Sequence, residues 1–308
     1  MSITTLSNPR VAALLASFCG LLWGSAYPGI KSGYEFFAID GADTPSKLLF
    51  AGIRFTLAGL LVLLWARTQR VPIKVGVKTV GSILLLGLSQ TTLHYYLFYL
   101  GVAQVSGAKG SITNSTGVFF SAILAHLVYK NDKLSFQKIG GILLGFLGVI
   151  AVNFTPDLGF EFSLVGEGYI VIAALLLALT TMLARRLTKT LDPAWVTGSQ
   201  LSIGGLVLIV LGLAGGSPGL QAPVQGWLVL GYLALLSALA FTIWTNLLKY
   251  NKVSSITVFN FMIPVSGALL SAIFLGESLG EWRYLIALPA VAFGIYLVNR
   301  SSTQTSNS

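Results

Sequence analysis

Residues 121–135 read SAILAHLVYKNDKLS, and residues 266–280 read SGALLSAIFLGESLG. Each is an apolar run closing on a turn in which an acid, Asp132 or Glu277, stands two residues before a leucine. LGVIAVN, ending at Asn153, and FGIYLVN, ending at Asn299, repeat the correspondence. The offset is 145 residues from Ser121 to Ser266 and 146 from Asn153 to Asn299. Halves rich in Leu, Gly and Ala resemble one another by composition alone; the matched acidic turns are what argue for duplication.

The rest of the chain has the same character. It is 55% hydrophobic and 9% charged, with a mean hydropathy of +0.81, against roughly 25% charged residues in soluble domains. Apolar runs bounded by charge, Pro or Gly fall at about 11–31, 46–66, 77–101, 107–129, 135–153, 166–185, 193–214, 226–248, 254–275 and 281–299. Since roughly 20 apolar residues cross a bilayer, the expected fold is an all-α membrane protein of ten transmembrane helices. Five spans per copy make the second copy enter the membrane from the opposite side, giving two inverted five-helix repeats around a central cavity. The repeats are expected at 1–154 (spans 1–5) and 155–300 (spans 6–10), followed by a disordered polar tail at 301–308.

The net charge of +9 would suggest nucleic acid if the basic residues formed one patch, but they lie between apolar runs. A cytoplasmic N-terminus puts Arg10, Arg67, Arg70, Lys74, Lys78, Lys130, Lys133, Lys138, Arg185, Arg186, Lys189, Lys249, Lys252 and Arg300 inside, as the positive-inside rule requires. The expected location is the cell inner membrane, with both termini cytoplasmic. Arg10, the run Val11–Leu22 and Gly24-Ser25-Ala26 have the outline of a secretory leader; the apolar stretch continues to Ile30 and the repeat needs this helix, so it is read as span 1. The lone cysteine, Cys19, excludes an intramolecular disulfide.

Ionisable groups inside spans cost roughly 3 kcal/mol and default to function. Arg54, about 10 Å down span 2 at 1.5 Å per residue, serves either to attract a carboxylate or to brace helix ends through backbone carbonyls. In span 3, the helical period puts Gln90, Thr91, His94 and Tyr95 on one face. His94 suits ligand recognition or proton coupling, or an interhelical hydrogen bond alone. Asn114 and Asn260 occupy similar positions in the two copies and would either face each other across a cavity or pack between helices. Trp23, Tyr27, Tyr99 and Trp244 offer flat aromatic walls, although aromatics at such depths are often structural. Gly24 lets helices approach closely and slide, and is read as a hinge. No catalytic triad spacing, metal-ligand cluster or phosphate loop appears, so no catalytic residue, metal or cofactor is expected.

The stretches LLWGSAYPGIK (21–31), FAGIRFTLAGLLVL (50–63), LFYLGVAQVSGAKGSIT (97–113) and ALAFTIWTNLLKYNKVSSITVFNFMIPVSGALLSAIFLGESL (238–279) resemble the EamA family of the drug/metabolite transporter superfamily, which includes bacterial amino acid exporters. The resemblance implies a cavity lined chiefly by spans 1, 3, 4, 6, 8 and 9. It also implies a hinge in spans 4 and 9, where this chain has Gly117 in place of the family's frequent proline but keeps Pro264.

The expected function is export of small organic metabolites, most readily amino acids, including aromatic ones, or related neutral or zwitterionic compounds, by alternating access. Gln90, His94, Tyr95 and Asn114 would contact the substrate. The partners expected are the substrate and the lipid bilayer, with no nucleic acid, and a monomer suffices. A multidrug efflux carrier is the alternative. Proton-coupled export of cations needs a buried carboxylate, and none of the ten acids lies deep in a span, Glu167 coming nearest. A membrane-embedded enzyme of lipid metabolism would need catalytic groups clustered at one face, and a sensor subunit a soluble domain.

Overall fold

The structure, a computed structural model, describes residues 3–72, 76–154, 161–275 and 281–304. Lys74, the Glu277 turn and residues 305–308 lie outside them. Among the described residues the fold is helical throughout, with no strand.

A short α1 (Ile3–Leu6) precedes α2 (Pro9–Phe36). Asn8 caps α2 by accepting from the Arg10 backbone N–H, with Pro9 at the first helical position, where its missing N–H costs nothing. Asp43 and Pro45 start α3 (Thr44–Thr68) in the same way, and Asp192 and Pro193 start α10 (Pro193–Ala214). At the ends of α2 and α3 the chain turns through left-handed Ala38 (φ 51°) and Arg70 (φ 54°). There Ile39 N–H donates to Tyr34 O (2.9 Å) and Val71 N–H to Ala66 O (3.0 Å), closing the last carbonyls as a Schellman turn does.

Three expected spans, those at 77–101, 107–129 and 254–275, are interrupted. The segment 77–102 consists of α4 (Val77–Leu86), a π-helical turn (Gly87–Leu93) and α5 (His94–Val102). The segment 107–128 consists of α6 (Gly107–Asn114) and α7 (Gly117–Val128), parted at Ser115 and Thr116. α8 (Phe136–Asn153) completes the first half. In the second half a π-helical turn (Leu164–Gly168) leads into α9 (Tyr169–Thr188), then α10 and α11 (Val224–Tyr250). α12 (Val253–Thr257) then passes through a 3-10 turn (Val258–Phe261) into α13 (Met262–Leu275), and α14 (Glu281–Gln304) is last. α14 runs four residues into the stretch expected to be disordered, because nothing in Ser301–Gln304 breaks a helix that is already nucleated.

Among the described residues, seven helical stretches are long and apolar enough to cross a membrane: 9–36, 44–68, 109–128, 164–188, 193–214, 224–250 and 253–274. Phe136–Ala151 and Leu285–Arg300 are shorter apolar helices. Large apolar side chains such as Leu60, Leu64, Val210 and Leu228 are exposed on the outside of the bundle, more apolar surface than water tolerates but suited to lipid.

α3 packs along α10, α8 along α14, α2 against α11 and α13, and α9 against α5 and α7. Small residues set the first two contacts. A Cβ added at Gly52 would stand 2.8 Å from Gly205 O, and one at Gly59 would stand 2.6 Å from Gly198 O. Likewise, a Cβ at Gly141 would lie 2.7 Å from Gly294 O, and one at Gly148 would lie 3.0 Å from Ala287 O. Backbones meet at these points, the arrangement by which apolar helices associate in lipid.

Candidate functional site

Arg54 on α3 is 4% exposed. Its Nε–H donates to Ser237 Oγ on α11 (2.9 Å), and that hydroxyl donates to Leu233 O (2.8 Å). The guanidinium lies 5.0 Å over the Phe55 ring. Among the described residues no carboxylate pairs with it; the ion pairs join Lys109 to Glu167 and Lys138 to Asp132. Arg54 is thus both a brace and an unneutralised buried charge.

Aromatic rings extend from it in both directions. Phe55 meets Tyr95 (4.5 Å), and Tyr95 meets Tyr99 (6.1 Å). The Tyr34 hydroxyl is buried beside that of Tyr99. On the other side Phe55 meets Phe241 (6.3 Å), Phe241 meets Trp23 (5.4 Å) and Trp23 meets Trp244 (5.0 Å), all three edge to face. Trp23, Trp244, Tyr95 and Tyr99, named separately from the sequence, therefore belong to one wall built by α2, α3, α5 and α11. Tyr27 is 39% exposed and packs against Gly267.

The polar face expected on span 3 is split. The π turn carries an extra residue per turn and rotates the remainder of the span about its axis. Thr91 Oγ1 donates to Gln200 Oε1 on α10 (2.6 Å) and Thr92 Oγ1 to Gly204 O (3.1 Å), whereas His94 Nδ1 lies 2.9 Å from Ala173 O on α9. A carbonyl only accepts, so Nδ1 carries the proton and joins α5 to α9. Tyr95 turns to Phe55, and Gln90 stays half-buried in the π turn.

Asn114 is the last residue of α6, and its Oδ1 is buried without a partner at the break before Gly117. Asn260 sits in the 3-10 turn between α12 and α13, and no hydrogen bond joins the two asparagines. Pro264 falls in the first turn of α13, where proline is tolerated. Gly24 is a contact residue: a Cβ there would meet Ser266 Oγ at 2.0 Å and Gly267 N at 2.9 Å.

A cavity of about 530 Å³ opens between α2, α3 and α11, lined by Leu15, Val62, Trp65, Ala238, Thr242, Ile243 and Asn246 among others. It is mostly apolar, and none of the expected substrate contacts lines it. At one end of the bundle Asp132 accepts from Lys138 Nζ (2.7 Å) and from the Ser254 backbone N–H (3.0 Å), tying the turn after α7 to the start of α12. Burial, with Lys138 nearby, holds the neighbouring Lys252 ammonium below the usual lysine range. Among the described residues no group of His, Cys, Asp and Glu is arranged to hold a metal.

Sequence reasoning passed over Ser237, Gln200 and Tyr34. The repeat could have found the first two: aligning GIRFTLAGLL (52–61) with GSQLSIGGLV (198–207) sets Gln200 on Arg54, and the same offset sets Ser237 on Thr91.

The model of the EamA-like transporter family matches residues 10–154 and again 164–300. An uncharacterized transporter of Synechocystis is 27% identical over 97% of this chain and 93% of its own length. The uncharacterized inner membrane transporter YedA of Escherichia coli is 26% identical over 94% of this chain and 90% of its own. A protein of known crystal structure shares the fold, with a TM-score of 0.78 over 95% of this chain and 98% of that one at 17% identity. With both halves matched by one family and the rings, glycine contacts and apolar exterior described above, the chain belongs to the EamA-like transporter family and is a multi-pass membrane transporter of the drug/metabolite superfamily.

Proposed function

We propose that this protein exports small neutral or zwitterionic metabolites, amino acids and aromatic ones foremost, across the inner membrane by alternating access between two inverted five-helix repeats. The tenth span on this reading is the interrupted segment 77–102, and both termini face the cytoplasm.

The observation that carries the mechanism is a contact pattern that survives exchange of the halves. Gly52 and Gly198 are repeat equivalents, as are Gly59 and Gly205. Gly52 touches Gly205, and Gly59 touches Gly198, so each contact becomes the other when the copies are swapped. Numbers rise along α3 as they fall along α10, so these two equivalents run antiparallel, which supports inverted copies. α8 and α14 behave alike: Gly141 meets Gly294 while their equivalents Ala287 and Gly148 meet each other. Two such halves have conformations of similar energy, one open to each side.

The aromatic wall and the unpartnered Asn114 Oδ1 support an amino acid substrate, with Tyr27, Tyr95, Tyr99, Trp23 and Trp244 against its side chain and Gln90, Asn114 and Asn260 at its polar end. His94 we assign to joining α5 and α9. Counterflow of labelled L-phenylalanine in proteoliposomes tests the reading. Saturable exchange is expected, and flux of dye-like cations in its place would favour the multidrug alternative. Single cysteines at equivalent loop positions of the two halves, probed from each side of the membrane, test the inversion; labelling from the same side would refute it.

A further inference from the structure

The brace made by Arg54 has a counterpart. Arg54 and Gln200 are repeat equivalents, and so are Ser237 and Thr91. Each forms a joint between the two repeats: Arg54 Nε–H donates to Ser237 Oγ at 2.9 Å, and Gln200 Oε1 accepts from Thr91 Oγ1 at 2.6 Å. Arg54 on α3 and Gln200 on α10 are both buried, at 4% and 3% exposure. The equivalent joint is thus made by a neutral amide, with donor and acceptor exchanged. A buried guanidinium costs roughly 3 kcal/mol in a membrane, so bracing alone does not call for the charge.

The charge also lacks an internal counter-ion: among the described residues no carboxylate pairs with Arg54. Its Nε is committed to Ser237, which leaves the two Nη groups as a planar fork of the kind that takes a carboxylate by two parallel hydrogen bonds. Phe55 lies beneath it, and Tyr95 and Tyr99 continue the wall.

We infer that Arg54 is the binding group for a carboxylate on the substrate, so that the transported class is aromatic carboxylates, amino acids included, and excludes the corresponding amines. This rests on the transport function proposed above and narrows it.

The decisive variant is Arg54→Gln, which puts the neutral amide of the second joint at this position, its Nε2–H placed to donate to Ser237 Oγ, and removes the charge; Arg54→Lys keeps the charge. Thermal unfolding of the full chain in detergent is followed with L-phenylalanine, phenylacetate, phenethylamine and sodium chloride. The two carboxylates are expected to stabilise the wild type, R54Q to fold and bind them about 10- to 100-fold more weakly, in line with loss of a charged hydrogen bond, and R54K to stay within about tenfold of wild type. The inference is overturned by R54Q binding as tightly as wild type, by R54Q failing to fold, by stabilisation from phenethylamine alone, by chloride acting as well as phenylacetate, or by no probe acting on the wild type. Counterflow separates the two claims. Arg54-dependent binding without flux defeats the transport proposal alone, and undiminished L-phenylalanine flux in R54Q defeats the present inference alone.

Discussion

Replacing Gly205 by alanine adds one methyl group at the point where α3 and α10 touch. The new Cβ would stand 2.5 Å from Thr56 N, 2.6 Å from Thr56 Oγ1 and 2.8 Å from Gly52 O. Two of these three atoms are backbone, so relief requires the helices to separate. Overpacking costs about 1–3 kcal/mol, and rigid backbone neighbours put this site at the upper end. Alanine's better helix propensity returns about 1 kcal/mol, leaving a net loss of about 2 kcal/mol. At roughly 2–4 °C per kcal/mol, melting followed by size-exclusion fluorescence in detergent should fall by about 4–8 °C. Gly59→Ala, whose Cβ would meet Ser202 N at 2.4 Å and Gly198 O at 2.6 Å, should lose a similar amount, being the equivalent position in the other repeat. Gly231, with nothing within 4 Å of its added Cβ, is the control, and its alanine variant should gain up to about 1 kcal/mol. A Gly205→Ala protein that melts at or above wild type would refute the backbone contact between α3 and α10.

Asp132→Ala should destabilise by about 3–5 kcal/mol, because it strands the buried Lys138 ammonium and uncaps the Ser254 N–H; adding Lys138→Met should recover much of the loss in a double-mutant cycle of melting temperatures. His94→Ala should cost about 1 kcal/mol for the lost bond to Ala173 O while sustaining L-phenylalanine counterflow, and a collapse of flux in a folded variant would return His94 to the transport step. Ala38→Gly and Arg70→Gly, at left-handed positions, should each raise stability by up to about 1 kcal/mol, read as a higher melting temperature.

Apolar length and punctuation made much of the architecture legible. The run expected at 193–214 is the helix Pro193–Ala214, and that expected at 46–66 is Thr44–Thr68, because an aspartate cap followed within two residues by proline sits at each head. The π turn at Gly87–Leu93 left no such mark. GLSQTTL has neither proline nor a charge, and the extra residue per turn emerges only from packing on α10, where Gln200 and Gly204 accept from Thr91 and Thr92. A face read at the ordinary helical period therefore grouped side chains that point to α9, α10 and α3. The candidate site was half legible: a charge inside a span drew attention to Arg54, but its partner is a serine among leucines and alanines, invisible until the two copies are laid over one another.

The two helix pairs in which each member packs on its own repeat equivalent, α3 with α10 and α8 with α14, have a particular standing in the proposed cycle. An exchange of roles between the halves maps each of these pairs onto itself, so its seam is common to the inward-facing and outward-facing forms. Lesions there should lower yield without tilting the balance between the two forms, whereas lesions at α2 with α13, or at α9 with α7, should bias it. Libraries aimed at turnover rate belong on the latter, and those aimed at expression on the former.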